Sequence, residues 1–213
     1  LPSAASAAPS DRNEGWREAL ELYRGGMYER ARAIFESLAP DAASEGYAVL
    51  CALKMRSDDC GEVMAEYDRR YPSTALTGRI RFENARILFD EGKYGEASLE
   101  LSKVPATALA DAETPEYMFK CGYSAFSVGR DPEALQFFTI LDALDHSEFT
   151  APGQYVSGVI HYNAGRFAEA ESCFSKAASD PRFTALTNFY IVDCEFNRKN
   201  YEYVVDQGVM IYE

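Results

Sequence analysis

The stretch EYMFKCGYSAFSVGRDPEALQFFTILDA, Glu116 to Ala143, decides the fold. Met118, Cys121, Gly122 and Ala125 recur at three- and four-residue steps, which places them on one face of a helix. Beyond Gly129-Arg130-Asp131-Pro132, the residues Ala134, Phe137, Phe138 and Leu141 repeat that spacing. Gly129 can take the left-handed conformation that closes a helix, and Asp131-Pro132 reads as the cap and first position of the next. The unit is a tight helical hairpin of about 34 residues, a size at which repetition is expected.

The pattern repeats. Gly26-Met27-Tyr28-Glu29-Arg30-Ala31, Gly92-Lys93-Tyr94-Gly95-Glu96-Ala97 and Gly165-Arg166-Phe167-Ala168-Glu169-Ala170 share Gly–x–aromatic–x–x–Ala, and Gly129 to Ala134 keeps its Gly and Ala around Asp131. Four residues after each Ala stands Phe35, Leu101, Phe138 or Phe174. Gly26 and Gly92 are 66 residues apart, two units of 33, and the later spacings are 37 and 36. A degenerate copy with its turn at Ser57-Asp58-Asp59 fits the gap, Val63 and Tyr67 standing for the Ala and Phe. Another closes the chain at Lys199-Asn200-Tyr201 to Val204, with Lys in the glycine slot.

This arrangement resembles the tetratricopeptide repeat over about residues 12 to 213. The resemblance implies an all-α fold, a right-handed α–α superhelix of about six helical hairpins. The expected units run over about 11–40, 41–73, 74–105, 114–146, 150–181 and 183–213. Asp11 is the expected cap of the first helix, and a polar connector, Ala106 to Thr114, precedes the fourth unit. Residues 1–10 (LPSAASAAPS) read as a disordered lead-in, left by signal-peptide removal or by trimming. The Tyr71-Pro72-Ser73 ending resembles a variant found in bacterial envelope repeat proteins, among them the lipoprotein of the outer-membrane barrel-assembly complex and the coordinator paired with the Tol–Pal system. The last two units resemble repeats of exported multi-repeat proteins of Gram-negative bacteria. A final helix running into Glu213 without a polar cap suggests a piece of a longer array, or an end shielded by a partner. The expected location is therefore the periplasm or cell envelope, with a cytoplasmic one still open.

The net charge of −13 argues against nucleic acid as a partner, since binding it takes clustered Lys and Arg. It also disfavours adsorption to anionic lipid. No apolar run approaches the roughly 18 to 20 residues that span a bilayer. The five cysteines, Cys51, Cys60, Cys121, Cys173 and Cys194, form no CxxC motif and no Cys/His cluster. Buried free thiols are expected, with a Cys51–Cys60 bridge as the alternative in an oxidising compartment.

The sequence carries no catalytic constellation. Of two histidines, His146 lies in an acidic connector with Asp142, Asp145 and Glu148, and His161 is expected to be a satisfied buried residue. No HExxH, GxSxG, GxGxxG or GxxxxGK[ST] occurs, and Asp58-Asp59 lacks the alternating ligands of a calcium loop. No enzyme activity, cofactor or metal is expected.

Aromatic residues three and ten positions before each turn residue share one face of the first helix. They are Tyr23 and Trp16, Phe89 and Phe82, Phe126 and Phe119, Tyr162 and Tyr155, and Phe196 and Phe189, with Tyr123 and Arg86 joining them. In tetratricopeptide arrays this face lines a concave groove, so the resemblance implies an aromatic stripe there. Two readings stay open, with a register error of one position as a third. The rings either hold a partner or wedge between neighbouring first helices and stiffen the array. Rings more than about a third accessible favour a receptor. The expected function is a non-enzymatic scaffold for a protein or peptide segment, amphipathic with basic flanks, with Arg86, Arg79 and Asp90 setting its polar register. The alternative is a spacer or self-association module that stacks on further repeats with an empty groove. Carbohydrate binding by the aromatics, beside Asn163, Asn197 and Asp193, is a remoter possibility.

Overall fold

A computed structural model describes residues 9–144 and 146–211. The chain divides into two compact units, residues 1–109 and 110–213, and the division falls inside the expected connector. Among the described residues the secondary structure is entirely helical, organised as helical hairpins.

The first unit holds α1 (Pro9–Arg24), α2 (Tyr28–Ser37), α3 (Ala42–Met55), α4 (Cys60–Arg70), α5 (Ala75–Asp90) and α6 (Tyr94–Leu101), then a 3-10 turn at Ala106–Ala108. The second opens with a 3-10 turn at Asp111–Glu113. It continues with α7 (Thr114–Ser127), α8 (Asp131–Ala143), α9 (Thr150–Asn163), α10 (Phe167–Ala177), α11 (Thr184–Asn197) and α12 (Tyr201–Ile211). The expected lead-in lies outside the described residues up to position 8; α1 begins at Pro9, so Asp11 is inside the helix and does not cap it. The last residues of the chain, 212 and 213, and Asp145 of the acidic connector also lie outside.

Each turn is closed in the same way. Gly26, Gly92, Gly129 and Gly165 have φ between 71° and 76°, the left-handed region that an L side chain reaches at a cost. The next residue's N–H donates back to a carbonyl five positions earlier, as in Met27 to Leu22 (2.9 Å), Arg130 to Ala125 (2.8 Å) and Arg166 to His161 (2.9 Å). Lys199 does this with φ 65° and Arg56 with φ 50°. The second hairpin therefore turns at Arg56, one residue ahead of the expected Ser57-Asp58-Asp59, and takes two extra residues before α4 begins. Asp131 is the first residue of α8 rather than its cap, and Arg130 holds the cap position without a side-chain bond.

The helices of a hairpin meet through one small residue opposite one large one. Beneath Phe138 and Phe174 lie Gly122 and Gly158, where an added Cβ would stand 2.6 Å from the ring. Ala19, Phe35, Ala85 and Leu101 are likewise buried, in the same sequence register. Tyr67 replaces the phenylalanine in the second hairpin. It is buried, and its hydroxyl donates to the Ala42 carbonyl at 2.9 Å, which removes the cost of an unpaired buried polar group. Thr74 caps α5 in a reciprocal capping box with Thr77 just after Tyr71-Pro72-Ser73.

Candidate functional site

The aromatic positions sort by what each ring touches. The ring three before the turn meets the ring two after it, edge to face across the hairpin. Tyr23–Tyr28 (5.5 Å between centroids), Phe89–Tyr94 (5.2 Å), Tyr162–Phe167 (5.7 Å) and Phe196–Tyr201 (5.7 Å) all do so, with planes 65° to 73° apart. Phe126 has Asp131 at the partner position and packs on Tyr123 instead, at 6.2 Å.

The rings ten before the turn lean on the second helix of their own hairpin: Trp16 on Phe35 (5.3 Å), Phe119 on Phe138 (6.3 Å) and Tyr155 on Phe174 (5.9 Å). Phe119 also meets Tyr123 at 5.8 Å and Phe149 at 5.6 Å. Phe82 differs, being 0% exposed, with the Arg86 guanidinium 4.2 Å above it. It is a core ring and cannot line a surface.

Two further rings, unforeseen in the sequence, complete the pattern. Tyr47 of α3 stacks on Phe35 (5.2 Å, 22°) and fits between Trp16 (5.6 Å) and Tyr23 (5.3 Å). Tyr190 of α11 stacks on Phe174 (4.7 Å, 14°) and fits between Tyr155 (6.3 Å) and Tyr162 (5.3 Å). Both stand nine residues before their own left-handed turn residue, Arg56 or Lys199. Trp16, Tyr23, Tyr28 and Phe35 map onto Tyr155, Tyr162, Phe167 and Phe174 by one shift of 139 positions, so the two units each build the same slot. Two rings seven residues apart clasp a tyrosine from the next first helix. The signal available in the sequence was the shared offset of Tyr47 and Tyr190 from their turns, hidden because the second turn lies at Arg56 and not at the expected Ser57-Asp58-Asp59.

Between α3 and α5 the same offset carries Glu83, which is buried. It receives Lys54 Nζ at 2.6 Å, Arg86 at 2.7 Å and Arg79 at 3.2 Å. Asp90 pairs with Arg56 at 2.7 Å. Arg79, Arg86 and Asp90 are thus engaged inside the fold. Burial, and next the Glu83 charge, push the Tyr23 phenol well above its usual range.

The slot is filled for Trp16 and Tyr23 and for Tyr155 and Tyr162, which are half-buried. In α11 the corresponding pair is Phe189 and Phe196, exposed to 60% and 53%, with the cross-turn ring Tyr201 exposed to 54%.

A cleft of about 420 Å³ lies between α2, α3 and α4. Its floor is Phe35, Leu38, Ala48, Val49, Val63 and Tyr67, and its rim carries Glu36, Glu45, Glu62 and Glu66 against Arg32 and Arg69. Arg32 forks onto Asp59 at 3.0 and 2.5 Å, and Arg70 pairs with Glu45.

The cysteines are free thiols. Burial pushes Cys51 and Cys121 up to about 12 and Cys194 up to about 11, which makes them poor nucleophiles. His161 is only half-buried, against expectation. Its Nδ1 accepts from Arg166 Nε at 2.9 Å, and burial followed by the Arg166 charge lowers its pKa. Among the described residues there is no cluster of three His, Cys, Asp or Glu suited to a metal ion, and no helix long and apolar enough to cross a membrane.

No protein-family model matches the chain, and no curated protein matches it in sequence. Solved structures do match in fold. MamA (AMB-1) superposes with a TM-score of 0.63 at 19% identity, covering 82% of this chain and 94% of that one. PilF of Pseudomonas aeruginosa gives 0.56 at 14% identity, covering 94% and 90%. RapI in its apo form gives 0.63 at 13% identity, covering 94% and 64%. These are tetratricopeptide-repeat proteins, and the chain has their fold.

Proposed function

We propose that this chain is a non-enzymatic scaffold that binds a partner protein segment on its first-helix aromatics. One observation carries the reading: Phe189 and Phe196, at 60% and 53% exposure, are large apolar rings left open on the face whose equivalents are covered elsewhere in the chain. Exposed aromatics grouped on one face are what interface hot spots are made of. The net charge of −13 favours a segment with basic flanks. Location in the periplasm or envelope belongs to this reading on the strength of the resemblance of its last two units to repeats of exported multi-repeat proteins, and cell fractionation tests it.

A second reading, a spacer that stacks on further repeats, is favoured by Tyr47 and Tyr190. These rings fill their slots from within the chain, so the aromatics around them serve as joints between hairpins.

Affinity capture with the parent and with a Phe189→Glu/Phe196→Glu variant separates the two, after circular dichroism has shown equal helicity. A protein retained by the parent, lost by the variant and bound again in purified form supports the scaffold. Identical captures from both baits overturn it in favour of the spacer.

A further inference from the structure

The cleft between α2, α3 and α4 lies where the second hairpin departs from the seam of the others. Seven residues before its turn a hairpin carries a small residue, Ala19, Ala85, Gly122 or Gly158, but the second carries Val49, which is buried. The Tyr67 ring seats over Gly46 instead, where an added Cβ would stand 2.9 Å from its hydroxyl oxygen. That seat is three residues, about 4.5 Å, nearer the start of α3 than the seat of Phe174 on α9.

The second unit closes the corresponding place. Lys176 Nζ of α10 reaches Asp142 of α8 at 2.7 Å. The first unit has Arg69 and Ala39 at those positions, and Arg69 pairs with Glu66 of its own helix. The rim differs as well. Glu36, Glu45 and Glu66 stand where the second unit has the uncharged Thr139, Gln154 and Cys173, and Glu62 matches Glu169. Counting the rim with its ion-pair partners, Glu36, Glu45, Asp59, Glu62 and Glu66 outnumber Arg32, Arg69 and Arg70. The floor is apolar, and its two hydroxyls are already engaged, Tyr67 with the Ala42 carbonyl and Thr74, and Ser44 with Asp41.

We propose that this cleft is a docking site for an apolar side chain flanked by Lys or Arg in a segment of a partner protein. The charge of the rim chooses the flanks and the floor chooses the anchor. A volume of about 420 Å³ falls in the lower part of the roughly 300–1,000 Å³ range of ligand sites. The proposal goes beyond the scaffold reading, whose aromatics lie on first helices, and its test is independent of Phe189 and Phe196.

The probe is a fluorescein-labelled peptide of sequence GKKLFKKG, titrated into the full chain and followed by anisotropy. Saturable binding is expected, weaker by about tenfold or more for GKKSSKKG, which keeps the charge and loses the anchor, and for GEELFEEG, which keeps the anchor and reverses the charge. A Glu62→Lys/Glu66→Lys protein should lose affinity for GKKLFKKG to a similar extent. A second measurement uses the unmodified protein, so it does not depend on the variant's folding: a photoreactive phenylalanine in place of the peptide's phenylalanine should crosslink to α2, α3 or α4. Absence of binding up to about 1 mM overturns the proposal. Equal binding of GKKSSKKG overturns it too, since charge alone would then hold the peptide, and so does crosslinking confined to other helices. A client that is captured through Phe189 and Phe196 while these peptides fail leaves the scaffold reading standing and removes the cleft from it.

Discussion

Phe174 and Tyr190 lie face to face, their centroids 4.7 Å apart and their planes 14° from parallel, although they belong to successive hairpins. Phe174 closes the seam inside its own hairpin, over Gly158, and Tyr190 extends that seam into the next. One stacked pair therefore couples packing within a repeat to packing between repeats. Phe35 and Tyr47 do the same at 5.2 Å in the first unit.

Truncating a guest ring should cost much more than truncating an open host. Tyr47→Ala and Tyr190→Ala should each destabilise by about 2–3 kcal/mol, somewhat below the range for fully buried aromatics. Phe189→Ala, at 60% exposure, should change stability by less than about 0.5 kcal/mol. Equilibrium urea unfolding followed by circular dichroism checks both, and a matching loss at Phe189 would place that ring in the core.

Gly122→Ala and Gly158→Ala set two effects against each other. Alanine gains about 1 kcal/mol of helix propensity, but its Cβ would stand 2.6 Å from Phe138 or Phe174, and overpacking of this kind costs about 1–3 kcal/mol. Phe174 is held from its other face by Tyr190, so Gly158→Ala should be the worse of the two. Gly61→Ala in α4 has open space around its Cβ and should be neutral or stabilising by up to about 1 kcal/mol. Denaturant midpoints rank the three.

The non-glycine turn residues can be relieved unequally. Lys199→Gly should stabilise by about 1 kcal/mol, because Lys199 sits at φ 65°. Arg56→Gly removes comparable strain at φ 50° but also the Arg56–Asp90 pair, whose partners are each about half exposed. Such pairs contribute about 0–1 kcal/mol, so the two changes should nearly cancel. The same urea series reads both.

Acid should act on the loop after α3. The Asp59 carboxylate accepts two bonds from Arg32 and one from Ser57 (2.6 Å), and these hold it well below the usual carboxylate range. A carboxyl depressed in the folded state contributes stability above its unfolded pKa, about 4, and loses it as the pH falls through the folded value. Parent and Asp59→Asn should therefore differ most at about pH 7, and the gap should narrow steadily as the pH falls below about 4. A gap that stays constant over that range would exclude the linkage.

The helical hairpins were legible because glycine is the residue best suited to a left-handed turn, and four such turns stand in register. Arg56 was not, since it reaches that conformation without the glycine signature and shifted the second turn by one residue. The stripe of rings was legible as a period, but a period does not say what covers a face. Phe82 shares the spacing of Trp16 and Tyr155 and is nevertheless sealed in beneath Arg86. Tyr47 and Tyr190 stand one residue out of phase with that stripe, about 100° around the helix, where they serve the preceding hairpin and add nothing to its period. Glu83 looks like a surface charge in the sequence, and only three cations converging from two helices make its burial tolerable.

In the hairpins that follow another within the same unit, the position nine residues before the turn carries Tyr47 and then Glu83 in the first unit, and Val156 and then Tyr190 in the second. The joints are thus aromatic, ionic, aliphatic and aromatic in turn, and a side chain made for one is a misfit in the next. Hairpins with nearly interchangeable backbones are consequently not interchangeable modules. Exchanging the second and third would strand a carboxylate among rings and a ring among cations, so the order of the repeats is itself written into the chain as a sequence of keys.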